Sequence, residues 1–274
     1  MKKKLGIIIF VFIAFGCNNK KDEHLKFSLD KDKPFLNKDV KAENEEIVKD
    51  FEGNKYKIVN VGNQIWTEEN LNTSYFNNGE KIPEAKTNEE WEKAATEEKP
   101  VWCYYENNIS NGKKYGKLYN YYVLQDSRDI APKGWHIPSY DELELMIDEF
   151  GGYKTSGLHL KSDKFWTKCF NGDEGNGTNS SGFNGLPGGY RMDNGDFTLN
   201  NFPTINENGY WWSSTKTTDI ISIFGKPTII IGHEGEEDKY GFPLSLINCD
   251  NYSSCNNPVR KGFGFSVRFI KDNK

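Results

Sequence analysis

Turn-forming residues dominate this chain, which contains 30 asparagines and 26 glycines among its 274 residues. Both residue types adopt turn conformations at little cost, so the elements between them are expected to be short. Hydrophobic residues make up only 36% of the chain, yet Phe, Trp and Tyr supply 14%, too many for a disordered protein. The combination predicts a compact, loop-rich domain whose core is built largely from aromatic rings.

Two helices can be located from their capping signals. Thr87 with Glu90, and Ser139 with Glu142, have the spacing of a capping box, in which each side chain satisfies a backbone N–H of the first turn. Apolar residues at helical spacing follow the second box, and Gly151-Gly152 ends that helix. Residues 118–124 suit either a short helix or a strand.

Strand signals occur at both ends of the domain. Residues 56–61 have strand composition, and Gly62-Asn63 offers a turn into a second strand at 64–66. Asn194-Gly195 is the strongest hairpin signal in the chain. Near the end, four apolar residues alternate with Gly264, Ser266 and Arg268, which predicts a strand with one face in the core. Helices early and strands late indicate an α+β domain.

The amino terminus has the pattern of an export signal. Three lysines precede an apolar run from Leu5 to Phe15, which as a helix is roughly 16 Å long and too short to span a bilayer core of about 30 Å. The sequence Ala14-Phe15-Gly16-Cys17 resembles a bacterial lipobox. We therefore predict a signal peptide over 1–16, a lipidated (palmitate-bearing) Cys17 with a flexible polar tether over 17–50, and a single domain over 51–274. An ordinary signal peptide with an incidental cysteine is the alternative.

The charge pattern bears on location and partners. The formal net charge is −5 and no basic stripe is present, so nucleic acid is not an expected partner. The run Lys21-Asp22-Glu23 resembles the signals that send lipoproteins to the outer face of the outer membrane. The sequence thus predicts an envelope protein that is lipid-anchored to the outer membrane and exposed at the cell surface.

Seven short motifs occur in an order that points to one family. They are Gly53-Asn54-Lys55-Tyr56-Lys57, Gln64-Ile65-Trp66 with Glu69-Asn70-Leu71, Tyr115-Gly116-Lys117-Leu118-Tyr119-Asn120, Ala131-Pro132-Lys133-Gly134-Trp135-His136-Ile137-Pro138, Leu186-Pro187-Gly188-Gly189-Tyr190-Arg191, Trp211-Trp212-Ser213-Ser214-Thr215 and Gly264-Phe265-Ser266-Val267-Arg268. Together they resemble the Fibrobacter succinogenes major paralogous domain over about residues 51–271. The resemblance implies a secreted or lipid-anchored protein with a C-type-lectin-like fold, which formylglycine-generating enzymes also use. That fold has two or three short helices and short antiparallel strands carrying long Asn/Gly-rich loops.

Four cysteines remain once Cys17 is assigned to lipid, and an exported protein favours pairing them as disulfides. Three pairings are open. Cys249 and Cys255 enclose a tight loop, which favours that pair and leaves Cys103 with Cys169 by elimination. The resemblance implies a cysteine where this chain has Phe269, so a family disulfide at that position is not available. The competing hypothesis treats Cys249 and Cys255 as a redox or copper pair, as in formylglycine-generating enzymes.

The loops supply the candidate metal ligands of this chain. No two histidines stand three or four residues apart, so a zinc helix is not expected, and His136 is interpreted as a buried, hydrogen-bonded core residue. Calcium is the better candidate metal because loop oxygen ligands are plentiful. The candidate ligands are Asp173, Glu174 and Asn176, with Asp193 and Asp196 flanking a hairpin turn. Solvated loop carboxylates are the alternative interpretation.

Aromatic side chains are the remaining candidates, because Trp and Tyr rings stack on sugars and their polar tips form hydrogen bonds. The primary candidates are Tyr190, Tyr210, Trp211 and Trp212, and a second group is Trp102, Tyr104 and Tyr105. Strand alternation points the rings of Trp211 and Trp212 to opposite faces, so one is expected in the core and the other at the surface. Packing of all these rings in the core is the alternative.

These observations predict a function in binding. We expect a surface-anchored lipoprotein that acts as an extracellular binding or adhesion module for a glycan or a protein, with no resident cofactor apart from possible calcium. Two alternatives stay open: a structural module of the cell envelope without a small ligand, and an oxidase of the formylglycine-generating type that uses Cys249 and Cys255. A fold of this kind supports any of the three.

Overall fold

The computed structural model describes residues 46–169, 171–216 and 237–272. The predicted signal peptide, Cys17 and the tether up to residue 45 lie outside the described residues. The described residues belong to one compact unit. Within these ranges no helix is long and apolar enough to cross a membrane.

The domain is mixed α+β and mostly β. Its strands are β1 (Ile47–Lys49), β2 (Lys55–Val61), β3 (Gln64–Thr67), β4 (Trp102–Cys103), β5 (Leu118–Asn120), β6 (Trp135–His136), β7 (Thr198–Leu199), β8 (Phe202–Pro203), β9 (Asn208–Lys216), β10 (Tyr240–Ile247), β11 (Ser253–Ser254), β12 (Val259–Arg260), β13 (Gly264–Phe265) and β14 (Ile270–Lys271). Its helices are α1 (Asn88–Thr96), α2 (Ile109–Tyr115), α3 (Tyr121–Leu124), α4 (Tyr140–Glu149) and α5 (Ser156–Leu160). Single 3₁₀ turns occupy Tyr105–Asn107 and Glu237–Lys239.

The largest sheet joins the two ends of the domain. Its strand order is β1-β2-β3-β14-β6, and every neighbouring pair is antiparallel. Because Ile270 pairs with both Trp66 and His136, the last strand lies between the first strands and the middle of the chain. The domain is therefore closed by its own terminal segments.

The described residues form three smaller sheets as well. In one, β10 is the central strand and pairs antiparallel with β9, β11 and β12. In another, β5 lies between β13 and β4, and β7 with β8 forms a two-stranded ribbon. The long connection between α5 and β7 contains turns and isolated bridges, in agreement with the loops predicted there.

Both predicted capping boxes are present. Thr87 Oγ1 accepts a hydrogen bond from Glu90 N at 3.1 Å at the start of α1, and Ser139 with Glu142 does the same for α4. Segment 118–124, for which helix and strand were both open, contains one of each, since β5 runs directly into α3. The Asn194-Gly195 turn is closed by Met192 N donating to Asp196 O at 2.8 Å, without flanking strands.

Two expectations about the ends of the domain were wrong, one about where it begins and one about the burial of its last segment. Strand β1 pairs with β2 inside the segment predicted as tether, so the folded domain begins before residue 51. The terminal segment 263–269 was expected to bury one face, but Ser266 and Arg268 are as buried as the apolar residues between them. Other elements cover both faces, and the polar side chains find partners inside the domain.

Aromatic rings do fill the core, as composition predicted. Three clusters of buried side chains are present. Strand β9 divides two of them, since Trp212 belongs to the first cluster and Trp211 to the second. Trp91, on α1, anchors the third cluster and donates from Nε1 to Gly262 O at 2.9 Å. This bond fixes α1 against the segment between β12 and β13.

Candidate functional site

The two tryptophans predicted as ligand contacts lie in the core. Trp211 and Trp212 are only 1% and 0% exposed. Trp211 Nε1 donates to Asn70 Oδ1 at 2.7 Å, and Trp212 Nε1 donates to Tyr119 O at 2.9 Å. Strand alternation was predicted correctly, but each face of β9 is covered by a different cluster. The expected exposure of one indole is therefore wrong.

The remaining aromatic candidates are largely enclosed as well. Tyr190 is buried and meets half-buried Tyr210 edge to face at 5.2 Å between ring centroids. In the second group, Trp102 and Tyr105 are buried, and Tyr104 packs against Trp102 at 5.1 Å. These rings build the core, as the alternative interpretation holds, and do not form an open platform for a sugar.

The disulfide differs from both predicted pairings. Cys169 is bonded to Cys249, with their Cα atoms 5.3 Å apart, whereas Cys103 and Cys255 are free and buried. The reason lies in the turn after β10, where buried Lys161 donates from Nζ to Ile247 O at 3.3 Å and to Asp250 O at 2.8 Å. The same Nζ donates to Gly175 O at 3.0 Å, so Lys161 bridges the turn that carries Cys249 and the loop that follows Cys169.

The free thiols do not form a redox pair. Burial raises the pKa of Cys103 and of Cys255 to about 12 each, so both thiols are protonated at neutral pH and unreactive as nucleophiles. Cys249 is already bonded to Cys169. The hypothesis of an oxidase that uses Cys249 with Cys255 is therefore wrong for this arrangement.

The candidate calcium ligands are engaged by the protein itself. Asn176 Oδ1 accepts from Trp166 N at 3.0 Å, Glu174 forms an ion pair with Lys168 at 2.8 Å, and Asp173 accepts from a neighbouring asparagine. Among the described residues, no group of three or more His, Cys, Asp or Glu side chains is arranged to hold a metal ion. These oxygens fix the shape of the loop.

Arg268, at the end of the Val-Arg motif, is a structural residue. It is 1% exposed, and its guanidinium donates to Asn70 Oδ1 at 2.8 Å, to Asn184 O at 3.1 Å and to Phe183 O. Burial lowers its pKa to about 9, which leaves it charged at neutral pH. Asn70 also accepts from Trp211, so one asparagine joins three of the family motifs.

Arg191, in the Gly-Gly-Tyr-Arg motif, has a similar role. Its guanidinium donates to Ala85 O at 2.9 Å and to Gly195 O at 2.8 Å. Gly189 precedes it with φ of +68°, and a Cβ there would lie 2.6 Å from the ring of Tyr105. The motif therefore needs glycine for both conformation and space. The motifs that identify the family encode the scaffold.

His136 connects three segments at the edge of the large sheet. Its Nδ1 lies 2.7 Å from Asp272 Oδ1, and its Nε2 lies 2.9 Å from Glu142 Oε1. Its side chain is 39% exposed, so it is not the buried core residue expected from sequence. Burial acts to lower its pKa, but the hydrogen bonds and charges of Asp272 and Glu142 outweigh burial and raise it.

Stability is expected to depend on the protonation of His136. Because its folded-state pKa is raised, the contribution is full below the unfolded value of about 6.5 and is lost as pH rises through the folded-state pKa. Solvent screening limits it to less than about 1 kcal/mol. Urea unfolding of the wild type and of His136→Gln across this pH range measures it, with half-buried His159→Gln, which has no carboxylate partner among the described residues, as control. An unchanged difference between wild type and His136→Gln across the range would contradict this assignment.

A cleft of about 390 Å³ opens beside α1. The carboxyl-terminal half of α1 forms one wall, and the turn around Asp193 forms another. The segment from Arg260 to Gly262 forms the floor, held against α1 by the bond from Trp91 Nε1 to Gly262 O. We call this space the α1 cleft. Its full lining is Glu92, Ala95, Thr96, Glu98, Tyr122, Asp193, Asn194, Lys239, Arg260, Lys261 and Gly262.

The α1 cleft is strongly polar and mixed in charge. Three carboxylates and three basic side chains line it. Among them, Lys261 is buried, while Arg260 is exposed at the rim. Burial, together with Glu98 and Asp193, raises the pKa of half-buried Tyr122 to about 12, so its phenol stays neutral and able to donate a hydrogen bond. The cleft can therefore offer cations, acceptors and a ring edge to one polar ligand.

Sequence reasoning located only part of this cleft. Asp193 was a candidate, but as a calcium ligand, and Arg260 with Lys261 is a basic pair that no sequence motif marks as a site. Glu92 and Glu98 lie on and just after α1, but Tyr122, Asp193 and Arg260 come from segments far apart in the chain. No local pattern in the sequence connects them, because the bond between Trp91 and Gly262 that assembles the cleft is long-range.

Fold and cleft define an α+β, mostly antiparallel domain with a polar surface cleft. The family model of the Fibrobacter succinogenes major domain matches residues 59–271. The chain belongs to this family, which confirms the resemblance of its seven motifs. No curated protein and no solved structure gives a significant match.

Proposed function

We propose that this protein is a lipoprotein anchored through Cys17 to the outer membrane, and that its domain binds an extracellular glycan or protein in the α1 cleft. The anchor rests on the basic start, the short apolar run and the lipobox-like Ala14-Phe15-Gly16-Cys17. Surface exposure rests on the run Lys21-Asp22-Glu23. The domain would then face the medium at the end of a polar tether.

A C-type-lectin-like fold is the finer form of this proposal. Supporting it, the last strand β14 pairs with β3 and β6, so the ends of the domain lie together in one sheet. A long irregular segment follows α5, and the disulfide ties it to the turn after β10. A closed base that carries long loops suits ligand binding on the loop side, by analogy of fold.

The α1 cleft itself carries the proposal of a binding site. The buried cations of the motifs, such as Arg191 and Arg268, spend their donors on carbonyl oxygens of the scaffold. The charged groups of the cleft instead line an open space of small-ligand size. Polar groups that converge on a concave surface without serving the core are the expected form of a ligand site.

Filling the cleft should abolish binding. Thr96 lies on the exposed wall of the cleft, so Thr96→Trp adds an indole there without touching a family motif. Applied to arrays of glycans and extracellular proteins, the full-length wild type is expected to bind, and Thr96→Trp to bind at least about tenfold more weakly. The matched control is Lys93→Trp, an exposed position on the same helix that does not line the α1 cleft.

Comparison of Thr96→Trp with Lys93→Trp distinguishes a blocked binding site from damage to α1. Binding that survives Thr96→Trp would place the ligand elsewhere and contradict the cleft as the site. Equal loss in Thr96→Trp and Lys93→Trp would indicate damage to α1, which circular dichroism and thermal unfolding detect. A wild type that binds nothing on either array would contradict the proposal and favour a structural role in the envelope.

A further inference from the structure

Lys261 is a largely buried lysine whose ammonium group is left to solvent in the α1 cleft, since Asn72 Oδ1 is the one buried side-chain N or O atom of the described residues without a hydrogen-bond partner. The residue is only 7% exposed, and its backbone is fixed by bonds to Lys239 O at 2.8 Å and from Tyr121 N at 2.9 Å. Its Nζ lies 5.3 Å from the centre of the Tyr121 ring. Within the parts of the chain that the structure describes, Nζ forms no hydrogen bond and no ion pair, and the side chain lines the α1 cleft.

The other buried lysines show what such a group normally has. Lys117 donates from Nζ to Asn72 O at 2.6 Å and to Ser74 Oγ at 2.7 Å. Lys161 donates to Asp250 O at 2.8 Å and to other carbonyl oxygens. Lys261 is the exception among the buried lysines that the structure describes, because its Nζ has no hydrogen-bond partner there and is open to the α1 cleft that the residue lines.

The surrounding charges do not neutralise this group. Burial is the largest influence on the pKa of Lys261 and lowers it, while Asp238 and Glu98 act in the opposite direction and Lys216 adds to the lowering. No carboxylate of the described residues comes within ion-pair distance of its Nζ. A ligand that brings an anionic oxygen to Nζ would therefore replace the water in the cleft with a charge-assisted hydrogen bond.

We propose that the α1 cleft binds an acidic saccharide, with the ligand's carboxylate on Lys261 and Arg260 and its hydroxyl groups on Asp193 and Glu92. This inference rests on the proposed function and specifies the ligand class of the same cleft. The carboxylates of the cleft accept hydrogen bonds from hydroxyl groups but repel a second anion. A ligand with one acidic group and several hydroxyls matches both halves of the lining. Tyr122 adds a neutral donor and a ring edge.

The test uses paired ligands that differ only in charge. Oligosaccharides containing uronate or sialate, and their neutral methyl esters, are titrated calorimetrically into the full-length chain. The acidic form is expected to bind at least about tenfold more tightly than its ester. Lys261→Met keeps the apolar stem and removes the ammonium, and should lose this preference. Exposed Lys133→Met is the control for charge and should keep it.

The possible results of this titration either support or overturn an acidic saccharide as the ligand. Equal affinity for acid and ester, or an unchanged preference in Lys261→Met, would overturn it. So would the absence of binding by every acidic saccharide, or binding only of free α-amino acids, whose ammonium would pair with the carboxylates. Neutral glycans that bind and are blocked by Thr96→Trp would leave the proposed function standing while refuting the acidic ligand. If Lys261→Met unfolds, Arg260→Met must weaken acid binding relative to the ester.

Discussion

Replacing Arg268 with methionine is expected to lower the free energy of unfolding by about 3–5 kcal/mol, because buried acceptors lose a charged donor. The guanidinium bridges Asn70 Oδ1 and the carbonyl oxygens of Phe183 and Asn184. Methionine keeps the apolar volume but donates no hydrogen bond, so the carbonyl oxygens are left unsatisfied in the core. Urea denaturation followed by tryptophan fluorescence measures the change.

The matched control is the same substitution at Arg260, which is exposed on β12. Arg260→Met should alter stability by no more than about 0.5 kcal/mol, as surface substitutions usually do. A loss at Arg268 of under about 1 kcal/mol would contradict a structural role for the terminal motif. The two arginines are eight positions apart in sequence. A large stability loss at Arg268 and a small one at Arg260 would distinguish a residue of the scaffold from a residue of the α1 cleft.

Removing the disulfide should also cost several kcal/mol. Cys169 and Cys249 are separated by 80 residues. In the chain-entropy description, a crosslink that closes a loop of that length raises the free energy of the unfolded chain by about 4 kcal/mol. The double variant Cys169→Ser/Cys249→Ser is therefore expected to unfold at a lower urea concentration than the wild type. The same shift should appear when the wild type is measured under reducing conditions.

Peptide mapping without reduction identifies the pairing directly. A peptide containing Cys169 should be crosslinked to one containing Cys249, and Cys103 and Cys255 should react with iodoacetamide only after denaturation. Cys255→Ala serves as the control, because it should leave the crosslink intact. A crosslink between Cys249 and Cys255 would contradict the structure and reopen the pairing favoured by sequence spacing. The same digest reports whether Cys17 is acylated.

Local signals predicted much of the fold. Both capping boxes work through contacts three residues apart, so the sequence contains all the information needed to place α1 and α4. The turn at Gly62-Asn63 likewise joins β2 and β3. The family, too, could be recognised, because its motifs recur in a fixed order and the matched region spans residues 59–271.

Predictions that depend on the distant environment of a residue were less successful. Alternation along β9 separated the rings of Trp211 and Trp212 correctly, but nothing local shows that both faces of the strand are covered. The loop spacing that favoured Cys249 with Cys255 takes no account of Lys161, which bonds both to the turn beside Cys249 and to Gly175 in the loop after Cys169. Alternation also placed Arg268 on an outer face. Its carbonyl partners lie 85 and 84 residues away in sequence, so no local pattern could show that it is buried.

The candidate site was the least predictable part. Asp193 and the basic pair Arg260-Lys261 were visible in the sequence, but their meeting with α1 depends on the contact between Trp91 and Gly262. Lys261 indicates a ligand site only by contrast with Lys117 and Lys161, whose ammonium groups are hydrogen-bonded within the protein. A lysine in a sequence carries no sign of whether its ammonium will find a carbonyl oxygen.

Hydrogen–deuterium exchange of the full-length chain, with and without the glycan that binds most strongly on the array, locates the bound ligand. If the ligand occupies the α1 cleft, exchange is slower in peptides covering the end of α1, the turn at Asp193 and the segment from Arg260 to Gly262, with no change around Tyr190 and Trp211. Protection confined to other segments, with the α1 cleft exchanging as in the free protein, would contradict binding in the cleft.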